Sequence, residues 1–230
     1  MLIDIQFSSA HNDWPRLRDA VLRAQDDGYD TTWVFDHFDG ATLGGDRDLL
    51  ECFTLLGALA AATTSIGLGS LVANVANRHP AVMVAAASSV QRISGGRFHI
   101  GIGAGAAPTS PWAREHHARG MQLNSNIADR HAAVVDQING LRSVDGLPII
   151  VGVNSVELAT IAGIHADGVN VRLSSSAADG HIAAARAAAG DRPFELSGWA
   201  SIDDVASQEQ AHLLELDRLI LTDLSPLPTR

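Results

Sequence analysis

Apolar positions in this chain gather in short, nearly continuous runs, separated by longer stretches in which they recur every three or four residues. The runs are LIDIQF (2–7), TTWVF (31–35), IGLGSLV (66–72), FHIGIG (98–103), PIIVGV (148–153), GVNVRL (168–173), FELSGWA (194–200) and RLILTD (218–223). Runs of this length suit strands buried on both faces. Between them lie helical patterns at 14–28, 49–63, 80–93, within 112–142, at 156–166 and 177–189, and a weaker one at 203–216. Strict alternation requires right-handed crossovers and a parallel sheet, and eight units point to an α/β fold, a closed (β/α)8 TIM barrel forming one domain over 1–230. At 230 residues the chain falls below the ~250 typical of such barrels, so a compact barrel with shortened insertions is expected. After the eighth strand only LSPLPTR remains, and its two prolines forbid an ordinary closing eighth helix. No internal repeat interrupts this order.

Composition narrows the classes. No run approaches the ~18 uncharged apolar residues of a membrane span, and MLIDIQF enters a strand pattern with no basic region or cleavage site, so a cytoplasmic protein is expected. The single cysteine, Cys52, sits in an apolar helical pattern and cannot build a disulfide framework or thiolate cluster. A net charge of −10, with scattered cations, argues against a nucleic-acid partner. All 16 basic residues are arginine. Without lysine there is no Schiff-base chemistry, and any anion must be held by arginine, backbone amides or hydroxyls.

In such barrels the chemistry lies at the C-terminal ends of the strands. There WVFDHFDG ends an apolar run on Asp36 and His37, two groups that resist burial unless paired. Ser70 to Asn77 follow strand three, GIGAGAAP (101–108) strand four, GVNS (152–155) strand five, and Arg172 with SSS (174–176) strand six. These small, polar or glycine-rich segments let a flat cofactor approach the backbone. FHIGIGAGAAP invites a dinucleotide reading, but the turn follows the fourth strand and Pro108 and Pro111 interrupt the helix that reading needs. GVNS admits two readings: an anion cradle at a helix N-terminus with Asn154 and Ser155 beside it, or plain N-capping. Arg172 would add a charge-assisted contact to the same anion. The ten histidines lack zinc-helix spacing, so no metal site is expected, and neither a G-x-S-x-G elbow nor a Walker loop occurs.

The segments DDGYDTTWVFDHF and LLECFTLLGALAAATTSIGLGSLVANVANRHPAVMVAAASSVQRISGGRFHIGIGAG, and more loosely EHHARGMQLNSNIADR, carry a resemblance. In order and spacing they resemble the bacterial luciferase-like superfamily of flavin- and deazaflavin-dependent oxidoreductases. The match is strong from Gly28 to Gly120 and thinner from 148 on. The D-H-F strand end and the N-V-x-N-R-H-P segment look most like members that use coenzyme F420. That resemblance implies His37 as the proton-handling residue at the reactive face of the cofactor, with Asp36 a neighbouring cofactor contact. It implies a non-proline cis peptide after strand three, expected at Ser70–Leu71, with Asn74 on the same wall and Gly103, Gly105 and Gly152 against the cofactor. Arg172, Asn154 and Ser155 would serve its phosphate.

The chain departs from that pattern in three ways. Ala106 stands where sugar-phosphate dehydrogenases of the group place a glutamate, which removes the general acid of that reaction. Relatives hold the phosphate with lysines, absent here, and the usual substrate-covering insertion has shrunk to NGLRSVDG. The expected activity is hydride transfer between F420 and a small organic substrate. The alternatives are an FMN-dependent monooxygenase of the same fold and a reduced, non-catalytic flavin-binding barrel. Helices two and three are apolar and rich in small residues, and the resemblance implies a homodimer through them. Arg78 and His79 read as structural or as part of the dimer contact rather than catalytic, because the R-H-P segment precedes helix three and Pro80 suits a first helical turn.

Overall fold

The computed structural model describes residues 1–45 and 49–227. Eight parallel strands close in sequence order into a barrel: β1 Leu2–Phe7, β2 Thr31–Val34, β3 Gly67–Asn74, β4 Phe98–Gly103, β5 Ile149–Val153, β6 Gly168–Arg172, β7 Glu195–Ser201 and β8 Arg218–Asp223, with β1 paired to β8. Helices α1 (Trp14–Asp26), α2 (Cys52–Ala62) and α3 (Pro80–Ile93) occupy the first three crossovers, and the fourth holds a short α4 (Arg114–His117) before α5 (Ile127–Leu141). α6 (Val156–His165), α7 (Ala178–Ala189) and α8 (Val205–Leu213) complete the ring. The helical stretch expected within 112–142 is thus broken, with an extended segment ahead of the Asn126 cap.

Because strand side chains alternate, each strand sends one set outward to the helices and the other into the barrel. The outward set, including Leu68, Phe98, Ile100, Ile102, Val151 and Val169, forms the main core with the helices. A smaller inner cluster joins Trp33, Leu71, Ile150 and Ile220, with Val72 and Trp199 packed on it. Glycine makes room for that interior. A Cβ at Gly69 would lie 2.2 Å from the Trp33 ring.

The barrel floor is polar and mostly paired, although Asp4 Oδ1 and His99 Nδ1 are buried without a hydrogen-bond partner. Asp4, fully buried, accepts from Trp33 Nε1 at 2.6 Å and Arg218 Nη1 at 2.6 Å, and Arg218 reaches Glu195 at 3.0 Å. Burial raises the Asp4 carboxyl to about 6 despite Arg218, and burial with the nearby Arg218 charge lowers His99 to about 4. No helix follows β8 among the described residues. Instead Leu227 donates its amide to Asn12 Oδ1 at 2.7 Å and buries its side chain in the main core, covering part of what an eighth helix would cover.

Candidate active site

A cavity of about 610 Å³ opens at the C-terminal mouth of the barrel, within the size range of small-molecule sites. His37, Asn74, Gly103, Gly105, Gly152, Asn154, Leu71 and Arg172 all line it, together with Asp36. Nine of the eleven candidates from the sequence therefore meet in one place. Ser70 and Ser155 do not. Ser70 is fully buried on the outward side of β3 and its hydroxyl donates to the Gly101 carbonyl at 2.9 Å, tying β3 to β4. Ser155 caps α6 by accepting from the Leu158 amide at 3.2 Å, so the capping reading of GVNS holds for the serine. The Glu157 carboxylate also bonds its own amide at that helix start and is held below the ordinary glutamate value, by that bond first and by Ser155 next. An incoming anion would meet this charge at the helix N-terminus.

The cis bond lies one residue later than expected, at Leu71–Val72. The β3–β4 register explains the offset: Ser70 pairs with Ile100 and Ala73 with Ile102, so β3 carries an extra residue there. Leu71 and Val72 consequently both face the inner cluster, where Gln6 donates to the Leu71 carbonyl at 3.2 Å. Val72 fills the space left by two glycines, because a Cβ at Gly103 or at Gly152 would come within 2.6 Å of its methyl groups. The result is a smooth apolar wall across β3, β4 and β5.

Asp36 does not offer its carboxylate to the cavity. Arg78 clamps it with both terminal nitrogens, at 2.7 and 2.6 Å, and the Asn74 amide donates to it at 2.8 Å. Burial works against the charge on Arg78, but these bonds outweigh it and hold its proton more tightly than usual. Asp36 thus lines the cavity while its charge fastens the loop after β3 to the end of β2. Asn77 adds to this tie, donating to the Asp36 carbonyl at 2.7 Å and accepting from His116 Nε2 at 2.8 Å. His79 caps α3 through Nδ1, so the R-H-P segment is structural as expected.

His37 sits at the cavity edge with 29% of its side chain exposed, and its Nδ1 lies 2.8 Å from Glu115 Oε1. Glu115 is 1% exposed and its other oxygen accepts from the amides of Phe38 at 2.7 Å and Asp39 at 3.0 Å. Burial would raise this carboxyl, but His37 and the two amides outweigh it and hold it below the ordinary value. Trp112, half exposed, approaches the His37 ring with centroids 5.9 Å apart.

Sequence reasoning missed Glu115, Trp112 and Arg130. Glu115 lies on the four-residue α4, too short for any periodic signal, and only its place beside the HH pair marked it. Arg130, on the first turn of α5, lines the cavity with a buried Nε that has no partner, while one terminal nitrogen donates to the Asn124 carbonyl at 3.1 Å. Arg172 lies over the Trp199 ring at 5.3 Å and donates to Ser174 Oγ at 2.8 Å. Neither arginine is paired with a carboxylate among the described residues, so both bring an uncompensated cation to the cavity lining. No cluster of three or more His, Cys, Asp or Glu side chains able to hold a metal occurs among the described residues, and no described helix is long and apolar enough to cross a membrane.

Known proteins similar to this chain share its fold. The luciferase-like monooxygenase family matches residues 3–124, just over half of the chain. A 5,10-methylenetetrahydromethanopterin reductase of Archaeoglobus fulgidus is 29% identical over 168 residues, covering 67% of this chain and 48% of that protein. The chain thus spans about half the length, or less, of the curated relatives it matches. Among solved structures, the coenzyme F420-dependent tetrahydromethanopterin reductase of Methanopyrus kandleri superposes with a TM-score of 0.70 at 15% identity, over 87% of this chain and 66% of that one. An F420-dependent secondary alcohol dehydrogenase, solved with an F420-acetone adduct, gives 0.70 at 18% identity over 92% and 74%. At these identities the structures share the fold.

Proposed function

The chain belongs to the luciferase-like monooxygenase family, and from that premise we propose that it transfers hydride between coenzyme F420 and a small organic substrate. The observation that carries this reading is the lining of the cavity. An apolar wall of Leu71, Val72, Gly103 and Gly152 suits a flat ring, His37 stands at the cavity edge, and Arg130 and Arg172 line the same cavity as cations that an anionic tail could meet. The arginines would hold the cofactor's phosphate and the apolar wall its deazaflavin ring, which would supply the hydride chemistry when bound. His37 exchanges the proton that accompanies hydride transfer at the substrate heteroatom. Gly105 and Asn154 line the approach, and Asn74 orders the adjoining loop by accepting from the Ala76 amide at 2.9 Å.

The test is to mix the purified protein with F420 and a panel of small alcohols, or reduced F420 with the matching carbonyls, and to follow cofactor absorbance. Turnover that His37→Ala abolishes supports the reading; turnover undiminished in that variant contradicts the role of His37. The FMN-dependent monooxygenase reading is favoured by the family's own description, and oxygen consumption with reduced FMN would reveal it.

The same reading includes a homodimer through α2 and α3. The outer face of α2 carries Thr54, Gly57, Ala58 and Ala61, and α3 exposes Val82 and Ile93 by more than half. Sedimentation velocity tests it: a monomer at micromolar concentration is the contrary result.

A further inference from the structure

Histidine in its neutral form carries one ring proton, and its position decides which nitrogen can take a proton and which can only give one. Hydrogens are assigned from the surrounding network, and here the network leaves one solution. Glu115 is held ionised below the ordinary carboxyl value, so both of its oxygens are acceptors only. One takes the amides of Phe38 and Asp39, and the other faces His37 Nδ1 at 2.8 Å. Nδ1 must therefore be the donor.

We infer that Glu115 is a positioning residue that fixes the neutral His37 ring as the Nδ1–H tautomer and leaves Nε2 as the single nitrogen that exchanges protons with the cavity. The arrangement does two things at once. The bond sets the ring orientation, and the two backbone amides lock the carboxylate that makes it. In the oxidation of a hydroxyl group, the C–H electron pair would leave as hydride to oxidised F420, the acceptor in the proposed reaction, while the O–H proton passes to Nε2. In the reverse direction the imidazolium returns that proton to the new alkoxide oxygen. Loss of the glutamate expected at position 106 leaves this dyad, built from β2 and α4, to control the proton. Its catalytic consequence rests on the proposed hydride transfer, whereas the tautomer does not.

The discriminating variant is Glu115→Gln. Two backbone amides require an acceptor, so the glutamine carbonyl must turn to Phe38 and Asp39, which directs its NH2 at His37 Nδ1. The ring proton then moves to Nε2. Long-range 1H–15N spectra of the cofactor-free protein read this directly, with the His37 signals identified by their absence in His37→Gln. The wild type is expected as Nδ1–H and E115Q as Nε2–H. A wild-type ring found as Nε2–H overturns the inference even if E115Q does not fold, and so does the same tautomer in both proteins. With a substrate in hand, E115Q should lower kcat for oxidation by about 100-fold, the low end of general acid–base contributions, with little change in KM. A switched tautomer with kcat unchanged overturns the positioning role. Absence of any turnover in wild type would count against the proposed function while the spectra still judge Glu115.

Discussion

Arg78 grips Asp36 through two bonds of 2.7 and 2.6 Å, which join the end of β2 to the loop after β3. The pair is what allows a buried carboxylate to sit there at all, since a charge left unpaired in the interior costs far more than a lost contact.

Arg78→Met should therefore destabilise the protein by about 3–5 kcal/mol, the cost of stranding a buried charge. Asp36→Asn with Arg78→Met should cost clearly less than the sum of the two single changes, because the second removes the orphan that the first creates. Urea denaturation of the four proteins measures this, and strict additivity would contradict the account of the pair.

The two cavity arginines should distinguish ligands by their phosphate. Arg130→Gln and Arg172→Gln should each weaken binding of F420 or FMN by about tenfold, roughly the value of one charge-assisted contact. Binding of the phosphate-free ring cores should change little. Fluorescence titration separates these outcomes; equal losses for both kinds of ligand would place the tail elsewhere.

The barrel floor predicts a pH effect with a definite sign. The folded-state value of His99 is lowered to about 4, so the unfolded chain binds its proton more readily and His99 adds stability as pH rises from about 4 to 6.5. The gain is on the order of 3 kcal/mol. Asp4 works oppositely: its value is raised to about 6, so it loses stability as pH rises from about 4 to 6. Wild type should consequently gain on His99→Gln between pH 4 and 7, and Asp4→Asn should gain on wild type over the same interval. Denaturation midpoints across that range check both signs.

Gly152→Ala tests the wall. Its Cβ would stand 2.6 Å from Val72 Cγ1, and such overpacking costs about 1–3 kcal/mol. Val72→Ala in the same chain should recover most of that loss, which thermal melts of the single and double variants would show.

The fold was largely legible because eight apolar runs and their intervening helical patterns follow directly from strands buried on both faces. Positions at strand ends were legible for the same reason, since a barrel directs them to one mouth. What escaped was set by tertiary pairing. The partner of the Asp36 carboxylate, Arg78, lies 42 residues away, and no local pattern links the two. Ser70 was placed on the cavity wall because the extra residue in β3, which turns Leu71 and Val72 inward, leaves no periodic trace. Glu115 and Arg130 lie on the crossover between β4 and β5, where a short turn, the four-residue α4 and an extended segment precede α5, and nothing in a local pattern says which side chains turn back over the barrel.

Whether the cavity takes a deazaflavin in preference to a flavin is decided by a paired titration. Purified protein titrated with F420 and separately with FMN, each followed by fluorescence quenching, should show saturable one-to-one binding of F420 that is tighter than that of FMN. Tight FMN binding with no response to F420 would contradict the claim.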